Sequence, residues 1–113
     1  MAIKYTLDGE MVAEFGLCKD RHEYPVDECI YPNTVAMFAY GRLELDALEV
    51  LKPLRQQGLK RLVLYTSGCI SAVLAVVNVC ARLKIRDVEI MHYDSLNNGY
   101  QPQNIVTFND VYL

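Results

Sequence analysis

Arg61-Leu62-Val63-Leu64-Tyr65-Thr66-Ser67-Gly68-Cys69, with the apolar run that continues to Leu83, decides how this chain folds. Arg61 to Thr66 is short, apolar and rich in β-formers, which predicts a strand. Ser67-Gly68 breaks it, and Cys69 to Leu83 is too long for a strand and predicts a helix. Downstream, Asp87-Val88-Glu89-Ile90-Met91-His92-Tyr93 alternates as a further strand. Upstream, Val35-Ala36-Met37-Phe38-Ala39-Tyr40 is a continuous apolar run ending at Gly41, and reads as a strand buried on both faces. Leu45, Leu48, Leu51 or Lys52, and Leu54 or Arg55 then recur at spacings of three and four, with Gly58 at the C-terminal cap and Pro53 positioned to kink or loosen the last turn.

Strands alternating with helices require right-handed crossovers and give a parallel sheet. The expectation is an α/β domain, a Rossmann-like three-layer half-fold whose parallel βαβαβ core spans residues 35–94. Residues 1–34 precede it as a hairpin plus a long loop. Ile3–Leu7 and Met11–Phe15 flank Asp8-Gly9, which suits a tight turn. The loop over 16–34 holds Pro25 and Pro32, with one short strand expected at Cys29-Ile30-Tyr31. Residues 95–113 follow as a turn and one or two short antiparallel terminal strands from Ile105–Phe108 and Val111–Leu113. All 113 residues form one domain.

The composition narrows the function. Eleven Lys+Arg against fourteen Asp+Glu leave a net charge of −3, which disfavours duplex nucleic acid and anionic membranes but permits a small anion in a local pocket. The opening residues Met1 to Glu10 lack an apolar core for a secretory signal, and the apolar stretch Ile70–Leu83 is too short to span a bilayer. A cytoplasmic protein with reduced Cys18, Cys29, Cys69 and Cys80 is expected. No C-x-x-C or H-E-x-x-H spacing is present, so neither a metal site nor a cofactor is expected. The absence of Walker A and G-x-G-x-x-G motifs argues against an ATPase or a dinucleotide dehydrogenase.

Ligands of open α/β sheets bind outside the carboxyl ends of the strands, where helix N-termini offer unpaired N–H groups and positive dipole ends. The expected strand ends place Gly41 and Arg42, then Thr66, Ser67, Gly68 and Cys69, then His92, Tyr93 and Asp94 on one rim. The turn at 66–68 suits phosphate; it equally suits an ordinary helix start with Ser67 as N-cap. His92 is placed to act as acid or base and Arg42 to hold an anion, against the plainer alternatives of a hydrogen-bonded edge residue and a solvated side chain. Asp94 reads as a turn former. Cys69 in the first turn of a helix has the position of a nucleophile, yet residue 75 is Ala where the cysteine-phosphatase C-x5-R pattern needs Arg, which favours a small buried thiol. Lys19, Arg21 and His22, beside Asp20 and Glu23, form either a charged loop in water or a lid supplying cations and an acid to the rim. Tyr100-Gln101-Pro102-Gln103 reads as extended strand rather than a base-stacking segment.

The helix from Cys69 is apolar on every face apart from Ser71, Asn78 and Arg82, which predicts a homodimer built on it or on the adjacent sheet edge. Taken with the strand Arg61–Thr66 and the turn Thr66-Ser67-Gly68, residues 35–94 resemble the CARF-like, Rossmann-type sensor domains and small ring nucleases of CRISPR systems. Those proteins bind cyclic oligonucleotides across a dimer at the strand ends. The resemblance implies Thr66, Ser67 and Gly68 as ligand contacts; it departs in lacking a fused effector domain, and it leaves the hairpin unplaced.

The leading expectation is a small dimeric α/β protein that binds a nucleotide-like or phosphorylated ligand at the strand ends. Metal-independent cleavage of a cyclic oligonucleotide is the chemistry that would accompany it, with His92 or His22 as acid/base and Arg42 stabilising charge. The alternatives are a non-enzymatic interaction module using the apolar helix and, third, a cysteine-dependent transferase or redox protein using Cys69.

Overall fold

The computed structural model describes residues 2–19, 23–32 and 39–109. In chain order the elements are β1 (Ile3–Tyr5), β2 (Met11–Cys18), β3 (Cys29–Tyr31), α1 (Tyr40–Gln56), β4 (Leu59–Thr66), α2 (Ile70–Arg82), β5 (Asp87–Asp94) and β6 (Gly99–Val106). The six strands form one mixed sheet. β2, β4 and β5 run parallel as neighbours, and β3 is parallel to β2. β1 and β6 are antiparallel, to β2 and β5 respectively. β4 lies along Met11–Gly16 of β2, so β1, opposite Met11–Ala13, and β3, opposite Gly16–Cys18, share the other edge of that strand end to end.

The α/β class stands, and the β4–α2–β5 unit lies where the decisive stretch places it. The expected strand at 35–40 does not hold over its described part. Residues 33–38 lie outside the described residues, Ala39 is the N-cap of α1, and Tyr40 is its first residue. Gly41 and Arg42 therefore belong to the first turn of a helix, not to a loop after a strand. The parallel neighbour of β4 on the side away from β5 is β2, drawn from the segment expected to be only a hairpin arm. Of the expected stripe of α1, Leu48, Leu51 and Leu54 do pack on the core, and only Leu45 does not. Leu43, Ala47 and Leu51, spaced by four, face the core, while Leu45 is 56% exposed. Two residues turn a helix by about 200°, so Leu43 and Leu45 cannot share a face.

Both helices pack on one face of the sheet and on each other. The core there joins Ala13, Phe15 and Leu17 of β2, Leu62 and Leu64 of β4, and Val88 and Ile90 of β5 to the inner faces of the two helices. Among the described residues no helix covers the opposite face, so the expected three layers reduce to two. That open face carries the alternate residues: Lys4 paired with Glu14, Arg61 paired with Glu89, and the rings of Tyr65, Tyr93 and Tyr100. Tyr24 covers Gly16, where an added Cβ would run into its ring and into Cys29 Sγ.

Local chemistry explains the connections. The hairpin loop is Leu7-Asp8-Gly9, one residue longer than an Asp-Gly turn. Gly9 N–H donates to Thr6 O, Thr6 and Glu10 bond across the neck, and Gly9 takes φ 84°. α2 ends in a Schellman turn: Lys84 N–H donates to Ala81 O and Ile85 N–H to Cys80 O, with Lys84 in the left-handed region. Pro53 sits inside α1 near its end, and the helix continues to Gln56 before Gly58, at φ 108°, turns the chain into β4. The closing strand is Gly99–Val106, which takes in Tyr100–Gln103 as expected but leaves Thr107 and Phe108 outside regular structure. Pro102 is tolerated because β6 is an edge strand. Val111–Leu113 fall outside the described residues.

Candidate functional site

The carboxyl ends of β2, β4 and β5 point to one rim because those strands are parallel. Thr66 and His92 are direct neighbours across β4 and β5, which places 66–69 and 92–94 side by side. Lys19 follows the end of β2 on the same rim. The first turn of α1 reaches it too: Tyr40 lines a cavity of about 370 Å³ with Ile70, Ser71, Leu74 and Ala75 of α2. Arg21 and His22 lie outside the described residues.

Sharing a rim does not give these side chains a common target. Thr66 is buried, and its hydroxyl donates to Met91 O at 3.5 Å, tying β4 to β5. His92 lies on the helix-side alternation of β5, exposed, with Nε2 2.7 Å from Gln103 Oε1 on β6. Tyr93, one residue on, takes the opposite face; its ring meets Tyr100 edge-on at 5.5 Å and its hydroxyl donates to Asn98. Arg42 pairs with Asp46 one turn along α1 at 3.1 Å. Asp94 accepts from the backbone N–H groups of Leu96 and Asn97 and from the Asn97 amide. Those bonds hold its carboxyl below the ordinary range and make it the turn former its sequence context suggests.

The turn into α2 differs from its expected form. Cys69, not Ser67, is the N-cap: Ala72 and Val73 N–H both donate to Cys69 O. Gly68 and Cys69 both take left-handed backbone, with φ of 72° and 53°. For Cys69 that conformation costs about 1–2 kcal/mol. Cys69 is 9% exposed, which agrees with a small buried thiol. No side chain caps α2, and no acidic residue lies in its first turn; the same holds for α1. Two positive helix ends thus open on one rim without a carboxylate in either first turn.

The wall beside them is apolar and exposed: Ile70 at 75%, Tyr40 at 57% and Leu74 at 56%. The outward stripe of α2 runs Ile70, Leu74, Asn78, Arg82, and its second half is polar. Arg82 pairs with Glu44 at 2.6 Å, and the Asn78 amide donates to the same carboxylate. α2 is therefore not apolar on every face, and its exposed patch is confined to the rim end.

Reading the carboxyl ends alone missed the other end of the sheet. There a cavity of about 710 Å³ is lined by Arg55, Lys60, Lys84 and Arg86 together with Phe108. Each cation stands where a helix ends or a strand begins, so the signal lies at the edge opposite the carboxyl ends. Among the described residues no group of three or more His, Cys, Asp or Glu could hold a metal ion, and no helix is long and apolar enough to cross a membrane. No disulfide joins the four cysteines. Compared with known proteins, the chain matches no family model, no curated sequence and no solved structure.

Proposed function

We propose that this protein binds a small phosphorylated, nucleotide-like ligand at the carboxyl-end rim, with the anionic group on the first turn of α2 and the apolar part against Tyr40, Ile70 and Leu74. The observation that carries this reading is the meeting of two helix N-termini, neither capped by a side chain, beside an apolar cavity of about 370 Å³. Backbone N–H groups and the dipole favour negative charge there, and the cavity volume falls in the range of small-molecule sites. Among the described residues the one carboxylate lining that cavity, Glu44, is already compensated by Arg82. The β4–α2–β5 unit, with Ser67-Gly68 at its turn, is the part of the chain on which the CARF-like reading rests.

The reading is of binding first. Arg42 and His92 are each engaged by a neighbour, so phosphodiester cleavage would require ligand to draw them from Asp46 and Gln103. A homodimer that joins two rims through Ile70 and Leu74 would present paired cradles to a cyclic oligonucleotide in the cytoplasm.

Ile70→Glu tests the site. A carboxylate in the first turn of α2 completes the dipole and repels an anion, so the variant should melt at or slightly above wild type, by about 0.3–1 kcal/mol of added stability. A thermal-shift screen against linear and cyclic nucleotides should show a shift in wild type that Ile70→Glu reduces. A shift of the same size in both proteins refutes the placement.

The exposed Tyr40–Ile70–Leu74 patch also supports a second reading, an interaction module with no small ligand. A nucleotide screen indifferent to Ile70→Glu, together with a sedimentation coefficient that falls in Leu74→Asp, favours it.

A further inference from the structure

We propose that the amino-terminal edge of the parallel strands carries a separate binding site for an organic phosphate bearing a planar ring. The cavity of about 710 Å³ at this edge is of small-molecule size. Four cations reach it from separate places: Arg55 in the last turn of α1, Lys60 at the start of β4, Lys84 in the Schellman turn, and Arg86 just before β5. Glu10 and Asp87 line it as well, yet among the described residues neither forms an ion pair with any of the four.

Cations at helix C-termini have a plainer role in offsetting the dipole, so the charges must be weighed. Four positive side chains less two carboxylates leave an excess of two. The C-terminal ends of α1 and α2 remove about half a charge each. Roughly one positive charge remains, in a chain whose overall charge is −3. Arg55 is the fixed member: its guanidinium donates to Leu83 O at 2.9 Å and Leu59 O at 3.1 Å, tying the last turn of α1 to the end of α2 and the start of β4. Lys60, Lys84 and Arg86 are exposed, and the described residues give them no ion pair, so they supply the hands for phosphate oxygens. Phe108 supplies an aromatic wall, with Lys84 Nζ 5.4 Å from its ring centroid. A cation held over a ring that also lines the cavity places charge and stacking surface within one ligand's reach.

This site lies at the opposite end of the sheet from the rim and does not depend on the rim reading. Calorimetric titration with ATP and with sodium tripolyphosphate tests it, in wild type and in the Ile70→Glu background, which weakens the rim. In that background ATP should bind saturably at one site. Lys60→Ala/Arg86→Ala, two exposed positions whose loss leaves the fold intact by circular dichroism, should weaken ATP by at least about tenfold. ATP should bind more tightly than tripolyphosphate, and Phe108→Ala should erase that advantage. The proposal is overturned if ATP fails to bind in the Ile70→Glu background, binds without saturation, or is indifferent to Lys60→Ala/Arg86→Ala. It is overturned equally if tripolyphosphate matches ATP while Phe108 is present. Identical ATP titrations with and without Ile70→Glu would instead count against the rim and leave this site standing.

Discussion

On one face of β4, Leu62 and Leu64 are fully buried under the two helices; one residue away on the same strand, Arg61 and Tyr65 remain in contact with water. The same alternation runs through β2 and β5, so neighbouring residues of one strand belong to different physical regimes. The helix-covered face is held by burial of apolar area, with Ala13, Leu62, Leu64 and Val88 at 0–1% exposure. The open face is held by ion pairs, by T-shaped tyrosine contacts at 5.0 and 5.5 Å, and by the ring of Tyr24 against Gly16. Central parallel strands are usually covered on both sides. Here the second side is covered by its own long side chains: the charged heads of Lys4 and Arg61 stay toward water, while Tyr24 and Tyr100 bury their hydroxyls.

The contrast breaks most sharply at Leu64. Leu64→Ala should lose about 2–5 kcal/mol in urea denaturation, because the helices above it cannot collapse fully into the cavity. A loss under about 1 kcal/mol would show the helix layer to be loosely seated. On the open face the largest effect belongs to Gly16→Ala, which should cost about 1–3 kcal/mol through the clash with Tyr24. Shortening the ring in Gly16→Ala/Tyr24→Ala should recover much of that loss, and additive costs in the double-mutant cycle would disprove the contact.

High pH sharpens the same comparison. Burial pushes the Tyr24 hydroxyl from 10.0 up to about 12, and it raises Tyr65 and Tyr100 as well. Between about pH 10 and 12 the folded chain then holds protons that the unfolded chain has released. Stability present below pH 10 is therefore lost as pH rises through that window. Urea midpoints should fall across it, and Tyr24→Phe should flatten the fall; an unchanged slope would remove Tyr24 from the account. The smallest effect is expected at Arg61 and Glu89, a half-exposed pair at 2.7 Å. Either alanine variant should cost about 0–1 kcal/mol, and molar salt should shrink the difference.

Much of the candidate rim was legible because it is local. Thr66-Ser67-Gly68 leaves a strand and enters a helix whatever the rest of the chain does, and Asp94 makes its turn with residues two and three positions away. The hydroxyl–glycine pattern does not disclose that two successive residues turn left-handed, because the backbone choice at Cys69 depends on how α2 must land on the sheet. Nor does it reveal that Tyr93 and His92 part to opposite faces of the rim, one to the tyrosine cluster and one to Gln103.

Taken alone, the sequence determined the hairpin about Gly9, the β4–turn–α2–β5 unit, the short strand at Cys29–Tyr31 and the extended Tyr100–Gln103 segment, since each is decided by periodicity and turn chemistry within a few residues. The tertiary structure alone decided that β2 lies beside β4, that Tyr40 begins a helix, that α2 exposes only Ile70 and Leu74 of its apolar residues at the rim, and that Arg55, Lys60, Lys84 and Arg86 gather at one cavity. Strand pairing and side-chain convergence bring together residues far apart in the chain. Their free energy depends on which alternative partners compete for the same edge and the same buried area, and no local window contains that comparison.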